Sequence, residues 1–251
     1  MKQVYEAKSR LWNIFNLAQR KYVYIRIPKT GSQSLNTALF NITPTADRIR
    51  SEDNNWQGFY QAPAGQWWDH LSAEFCVDVM TPEVWSEITS FSIVRNPYAR
   101  LYSLWNASAE ANREMTFKNW IMSDCPYPGW NTKENSLKHS HTFPASPVTC
   151  QKKWLLDKNE KNQVSFTFRL EEIENQNILN LLRAIVDTST FQLPSHKYNQ
   201  TTKTKCEYKD HYDDEMIDKV KEMCEDDLST FQYDFNGIVE GSENFVLLRD
   251  E

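Results

Sequence analysis

The order of apolar and polar positions divides the chain into short strands and helices with long polar stretches between them. Near the start, Val4, Leu11, Trp12, Ile14, Phe15 and Ala18 are spaced as one face of an amphipathic helix over about residues 4–20. Tyr22 to Ile27 is β-branched and aromatic and predicts a strand. A Pro-Lys-Thr-Gly-Ser turn follows, then a helix over Ser34 to Phe40 with Leu35, Ala38 and Leu39 facing inward. Residues 43–69 are polar and irregular and carry Trp56, Trp67 and Trp68. Residues 70–89 read as helical, with a second start signal at Thr81-Pro82-Glu83.

Ser90 to Arg95 is a second buried strand, after which Asn96 caps a helix with Pro97 in its first turn. Leu101, Leu104, Trp105 and Ser108 continue that helix at helical spacing. Residues 123–148 are rich in Pro, Ser, Asn and His and predict a long loop excursion. A short helix over 149–157, a third strand over Val164 to Arg169, and helices over 171–187 and 213–230 complete the pattern. Asp213, Asp214 and Glu215 open the last helix, where the dipole favours negative charge; they read as structural. Repeated strand–turn–helix units predict one α/β domain over residues 1–251, with a central parallel sheet and helices on both faces.

Composition narrows the function. The net charge of −6 repels polyanions and argues against general nucleic-acid or heparin binding, leaving room for a local basic site. Cys76, Cys125, Cys150, Cys206 and Cys224 are odd in number and contain no CxxC pair. They predict free thiols in a reducing compartment rather than a disulfide framework or a metal site. The N-terminus lacks the apolar block and cleavage site of a secretory signal, and no apolar run is long enough to span a bilayer. The expected setting is cytoplasmic, and the sequons at Asn41, Asn106 and Asn199 then read as chance matches.

Two segments carry chemistry, both at predicted strand ends, where ligands bind in open α/β sheets. In Ile27 to Leu35 a strand runs through a one-glycine turn into a helix. The N–H groups of Gly31, Ser32, Gln33 and Ser34 would converge at the positive helix end, with Lys29 adding a full charge. This nest suits a phosphate or a sulfate. It is not a Walker A loop, because the lysine precedes the glycine. In Ser92 to Trp105, Arg95 ends a strand and is suited to clamp a phosphate. Ser103 lies about two turns into the following helix.

Together the segments Pro28-Lys29-Thr30-Gly31-Ser32-Gln33-Ser34 and Arg95-Asn96-Pro97-Tyr98-Ala99-Arg100-Leu101-Tyr102-Ser103-Leu104-Trp105 resemble the sulfotransferase superfamily that uses 3′-phosphoadenosine-5′-phosphosulfate (PAPS). The likeness is to its carbohydrate branch, which makes sulfated chondroitin and dermatan. Gln33 stands for the usual Thr and Trp105 for the usual Tyr. Weaker likeness extends over Gln151 with Trp154-Leu155, Phe168-Arg169-Leu170-Glu171, Leu193 to Asn199, and Tyr208 to Phe235.

The resemblance implies a P-loop-NTPase-like three-layer sandwich, PAPS as co-substrate with no metal, and a hydroxyl-bearing acceptor, a glycan or glycolipid. It assigns Lys29 to the leaving-group oxygen, and Lys29, Thr30, Gly31, Ser32, Gln33 and Ser34 to the 5′-phosphosulfate. Arg95 and Ser103 would hold the 3′-phosphate. His70 is the expected general base, with Glu74 the runner-up. His139, His141 and His196 read as loop or structural residues. Trp56, Trp67, Trp68 and Trp130 either pin loops or stack on sugar rings, and Lys203 and Lys205 either screen the nucleotide or lie solvated. Carbohydrate-branch members in animals are membrane-anchored in the Golgi; without an anchor, a microbial or viral origin is expected. Two other readings stay open: a P-loop-like kinase or phosphotransferase, and a non-catalytic binding member of the fold.

Overall fold

The computed structural model describes residues 14–15, 22–31, 34–35, 38–39, 72–80, 85–108, 114–126, 150–186, 189, 191–193 and 207–250. Its centre is a five-stranded sheet running in the order β1 (Ile14–Phe15), β2 (Tyr22–Ile25), β3 (Thr89–Val94), β4 (Phe166–Arg169) and β7 (Val246–Leu248). The inner strands β2 (Tyr22–Ile25), β3 (Thr89–Val94) and β4 (Phe166–Arg169) are parallel, with Ile25 opposite Ser92 and Val94 opposite Arg169. All three therefore deliver their carboxyl ends to the same rim.

Both outer strands are antiparallel, so the sheet is mixed rather than wholly parallel. At one edge β1 (Ile14–Phe15) pairs with Val23 and Tyr22 of β2. This corrects the helix expected over about 4–20 at the two positions described; the remainder of that segment lies outside the described residues. A short connection suffices to fold a strand back antiparallel, and the pairing covers an edge whose backbone groups would otherwise be open. Ile14 and Phe15 also suit a pleated surface. At the other edge β7 (Val246–Leu248) pairs with Phe166 to Phe168 of β4.

Alternation along β2 and β3 builds a core on each face. Val23, Ile25, Ile27 and Val94 pack with Trp85, Trp154 and helix α1 (Ala73–Met80) through Ala73 and Cys76. Tyr22, Tyr24, Phe91, Ile93 and Phe168 pack on the other face against Leu35, Ala38 and Leu39 and against Ile178 and Leu182 of a later helix. Tyr24 stacks on Phe91 with ring centroids 5.0 Å apart.

Helix α2 (Pro97–Ala107) leaves β3. Its inner face joins α3 (Phe117–Met122) in a third cluster that includes Tyr98, Leu101, Leu104, Phe117 and Trp120. A 3₁₀ turn (Gln151–Trp154) occupies the short helix expected over 149–157. A second 3₁₀ turn (Leu170–Glu172) and α4 (Gln176–Ile185) fill the span expected as one helix over 171–187. The helix expected over 213–230 is two, α5 (Asp214–Met223) and α6 (Glu225–Thr230), meeting at Cys224. The break accompanies burial of Asp227, whose carboxylate is drawn to the Gln151 turn. A hairpin of β5 (Tyr233–Asp234) and β6 (Gly237–Ile238) follows. Its two-residue loop is Phe235-Asn236, and Gly237, at φ 140°, pairs with Asp234.

Candidate functional site

The turn leaving β2 has two left-handed residues, Lys29 at φ 67° and Gly31 at φ 72°. Glycine takes that conformation without cost, whereas lysine does so only where its surroundings hold it. Here they do. The Thr30 hydroxyl donates back to the Ile27 carbonyl at 3.0 Å, and Leu35 N–H donates to the Gly31 carbonyl, starting the helix. Gly31 also lies close against Leu170, so a Cβ there would fall 2.6 Å from Leu170 Cδ1.

Two arginines from the segment after β3 brace the same turn. Arg95 Nη1 donates to the Lys29 carbonyl at 3.3 Å. Arg100, 2% exposed, donates from Nε to the Pro28 carbonyl at 3.0 Å. The loop and the Arg95 segment thus form one site, although they are more than sixty residues apart in the chain.

Arg95 is anchored in turn. Val94 is the last residue of β3 paired to β4, so the Arg95 peptide has passed its strand partner. The side-chain amide of buried Gln151 takes that place: Oε1 accepts from Arg95 N–H at 2.9 Å and Nε2 donates to the Arg95 carbonyl at 2.8 Å. Asp227, 1% exposed, accepts from Gln151 Nε2 and from the N–H groups of Gln151 and Lys152. Next along the chain, Asn96 caps α2 as expected, its Oδ1 accepting from Tyr98 N–H at 3.0 Å. Asn96 N–H donates to Glu171 Oε1, and the other Glu171 oxygen accepts from Tyr233 OH.

Positive charge goes unbalanced at Lys29 rather than at the arginines, which have Glu171 and Asp227 nearby. Burial lowers the Lys29 pKa, and the Arg95 guanidinium lowers it further. Burial also lowers the Arg95 pKa, opposed by Glu171. No carboxylate among the described residues pairs with Lys29. Two partly buried cations held side by side are relieved by a bound anion.

The other expected site residues divide. Ser34 begins the helical backbone after the turn and is half-buried; Ser103 is half-buried within α2; Glu74 is half-buried in the first turn of α1. Ser32, Gln33 and His70 lie outside the described residues, as do Trp56, Trp67, Trp68, Trp130, His139, His141, His196, Lys203, Lys205 and Cys206. Arg100 and Asp227 have no part in the site read from sequence. Arg100 sits among apolar helix positions, and a cation there demands buried acceptors, a signal in the sequence that could have found it. Asp227 had no such local signal, lying in an acidic run.

A family model described as the sulfotransferase family matches residues 12–234. The chain belongs to the sulfotransferase family. The match spans both site-bearing segments and reaches the β5 strand. No curated protein and no solved structure matches the chain. This sulfotransferase is therefore a transferase that moves a sulfuryl group to a hydroxyl-bearing acceptor. Among its described residues no group of His, Cys, Asp and Glu is placed to hold a metal ion, and no helix is long and apolar enough to cross a membrane.

Proposed function

We propose that this sulfotransferase takes its sulfuryl group from PAPS and transfers it to a carbohydrate hydroxyl, on a P-loop-NTPase-like three-layer sandwich. The observation that carries the reading is the contact of the Lys29 turn with Arg95, which sets two cationic strand ends side by side. A nucleotide phosphorylated at both ends fits such a pair, and an ordinary nucleoside triphosphate does not use the second. The carbohydrate acceptor rests on the likeness of the two motifs to the carbohydrate branch.

In this reading PAPS supplies an activated sulfuryl group, and the residues of the chain hold and polarise it. The Lys29 ammonium stabilises negative charge developing on the leaving-group oxygen. Thr30, Gly31, Ser32, Gln33 and Ser34 cradle the 5′ end with N–H and hydroxyl donors. Arg95, with Ser103, holds the 3′-phosphate through the guanidinium donors not given to the Lys29 carbonyl. His70 accepts the proton of the acceptor hydroxyl, with Glu74 the alternative base. The reducing, cytoplasmic setting rests on the odd number and wide spacing of the five cysteines in the sequence.

The test is a thermal-shift comparison of 3′,5′-diphosphoadenosine with ATP–Mg²⁺, followed by labelled PAPS with a glycan panel. The expected result is stabilisation by the diphosphate alone and label transferred to a glycan. Preference for ATP–Mg²⁺ overturns the donor assignment. Transfer to phenols or peptides but to no glycan overturns the acceptor assignment.

A further inference from the structure

The structure assigns Gln151, oriented by Asp227, as a positioning residue that sets the aim of the Arg95 guanidinium. The inference rests on the reading of Arg95 as the 3′-phosphate ligand. It goes beyond that reading by naming what makes Arg95 competent.

Arg95 stands at the first position beyond the β3–β4 pairing. A residue at that point has lost the ladder bonds that fix strand backbone, so its Cα–Cβ direction is not set by the sheet. Gln151 restores both bonds with one side chain, accepting at 2.9 Å and donating at 2.8 Å. Among side chains in their neutral-pH forms, the primary amides of Asn and Gln have a donor and an acceptor spaced to match a peptide edge.

An amide so placed has two orientations, and the wrong one sets like against like at both contacts. Asp227 selects the right one. Its Oδ2 accepts from Gln151 Nε2 at 3.1 Å, so the nitrogen faces Asp227 and the Arg95 carbonyl, and Oε1 is left for the Arg95 N–H. The same Oδ2 accepts from the Gln151 N–H at 2.8 Å, fixing the residue's backbone as well. Gln151 is fully buried and Asp227 nearly so, which removes water as a competing partner. The guanidinium projects from this doubly clamped peptide to the Lys29 carbonyl. Displacement of the peptide would therefore swing the guanidinium away from the turn, and small misplacements of a binding group cost heavily in affinity and rate.

The experiment measures calorimetric dissociation constants of 3′,5′-diphosphoadenosine and adenosine 5′-monophosphate for the wild type, Gln151→Met, Arg95→Ala and the double variant. Adenosine 5′-monophosphate lacks the 3′-phosphate and reports the rest of the site. Gln151→Met is expected to weaken the diphosphate about 10- to 100-fold and the monophosphate several-fold less, because the monophosphate loses only what the Arg95 bond gives the Lys29 turn. In the Arg95→Ala background it should add nothing, because the two residues act as one unit. Equal weakening of both nucleotides, or full additivity with Arg95→Ala, overturns the inference. If the wild type itself does not discriminate between the nucleotides, the 3′-phosphate reading fails and the inference with it. A discriminating wild type with an equally discriminating variant sinks the inference alone. Should Gln151→Met not fold, Gln151→Asn, which keeps the amide but is one methylene shorter, takes its place with the same expected selectivity loss. Failure of both to fold assigns Gln151 to core stability and overturns the inference.

Discussion

Arg95 reaches back across the rim of the sheet to the carbonyl of Lys29, whose backbone is left-handed. The bond does two things at once. It holds an unfavourable conformation in place, and it keeps two cations adjacent that would otherwise separate. The left-handed backbone costs stability, and the adjacent cations raise each other's free energy; a bound anion relieves the second cost. Binding and catalysis are thereby tied to the same contact.

The left-handed backbone at Lys29 separates stability from activity. Lys29→Ala and Lys29→Gly are both expected to lose turnover by roughly 10²–10³-fold, as for removal of one charge-stabilising donor. Their stabilities should differ, because glycine takes φ 67° freely and alanine does not. Lys29→Gly should be more stable than Lys29→Ala by about 1 kcal/mol, read as a difference of about 2–4 °C in melting temperature. Equal melting temperatures would remove the strain at this position.

The depressed pKa of Lys29 sets a pH dependence. The unfolded chain keeps this proton up to the usual 10.5, whereas the folded chain releases it at lower pH. Within that window the unfolded state binds more protons, so this residue makes stability rise with pH. Anion binding requires the charged form, so affinity for 3′,5′-diphosphoadenosine should fall with pH in the same window, below where an ordinary lysine titrates. Calorimetry between about pH 8 and 10 on the wild type and Lys29→Gln checks this. A decline of equal slope in both proteins would assign it to another group.

Gly31 is confined by conformation and by a neighbour. Gly31→Ala places a methyl group 2.6 Å from Leu170 Cδ1 at φ 72°. It is expected to destabilise by roughly 1–3 kcal/mol. Adding Leu170→Ala should return the steric part but not the backbone part, which a set of chemical denaturation curves for single and double variants will resolve. Complete recovery would show that backbone strain contributes nothing.

The C-terminal region is locked to the sheet through Arg169. Its guanidinium, fully buried, pairs with Glu172 at 2.7 Å and also donates to the carbonyls of Phe231 and Gln232 and to Ser242. Glu172 in turn accepts from the N–H groups of Asn244 and Phe245. Arg169→Met leaves the carboxylate buried without its partner and should cost about 3–5 kcal/mol. The double variant Arg169→Met/Glu172→Leu should recover part of that loss. Thermal unfolding of the three proteins tests both statements.

Local pattern was enough wherever a segment's own residues decide its state. The unbroken β-branched and aromatic run of Tyr22 to Ile25 and the spacing of Leu35, Ala38 and Leu39 specify which side chains are buried, and all seven are within 2% exposure of zero. Asn96-Pro97 and Asp213 announce helix starts through caps that involve only the next few residues. Helical spacing failed at Ile14 and Phe15, since the open edge of β2 decides their state and no window of sequence contains it. The same holds for β7, a strand formed because β4 offers an edge.

The chemistry divides along the same line. The sequence by itself determined that a cationic turn and a strand-end arginine exist, each followed by a helix, because those features are written in runs of contiguous residues. The tertiary structure alone decided that Arg95 and Arg100 grip consecutive carbonyls of that turn, and that Gln151 and Asp227 hold Arg95 from behind. Hydrogen bonds of this kind depend on distances of about 3 Å between groups far apart in the chain. The pairing of parallel strands brings the Lys29 turn and Arg95 to one rim, and the packing of the Gln151 turn against α6 sets the rest.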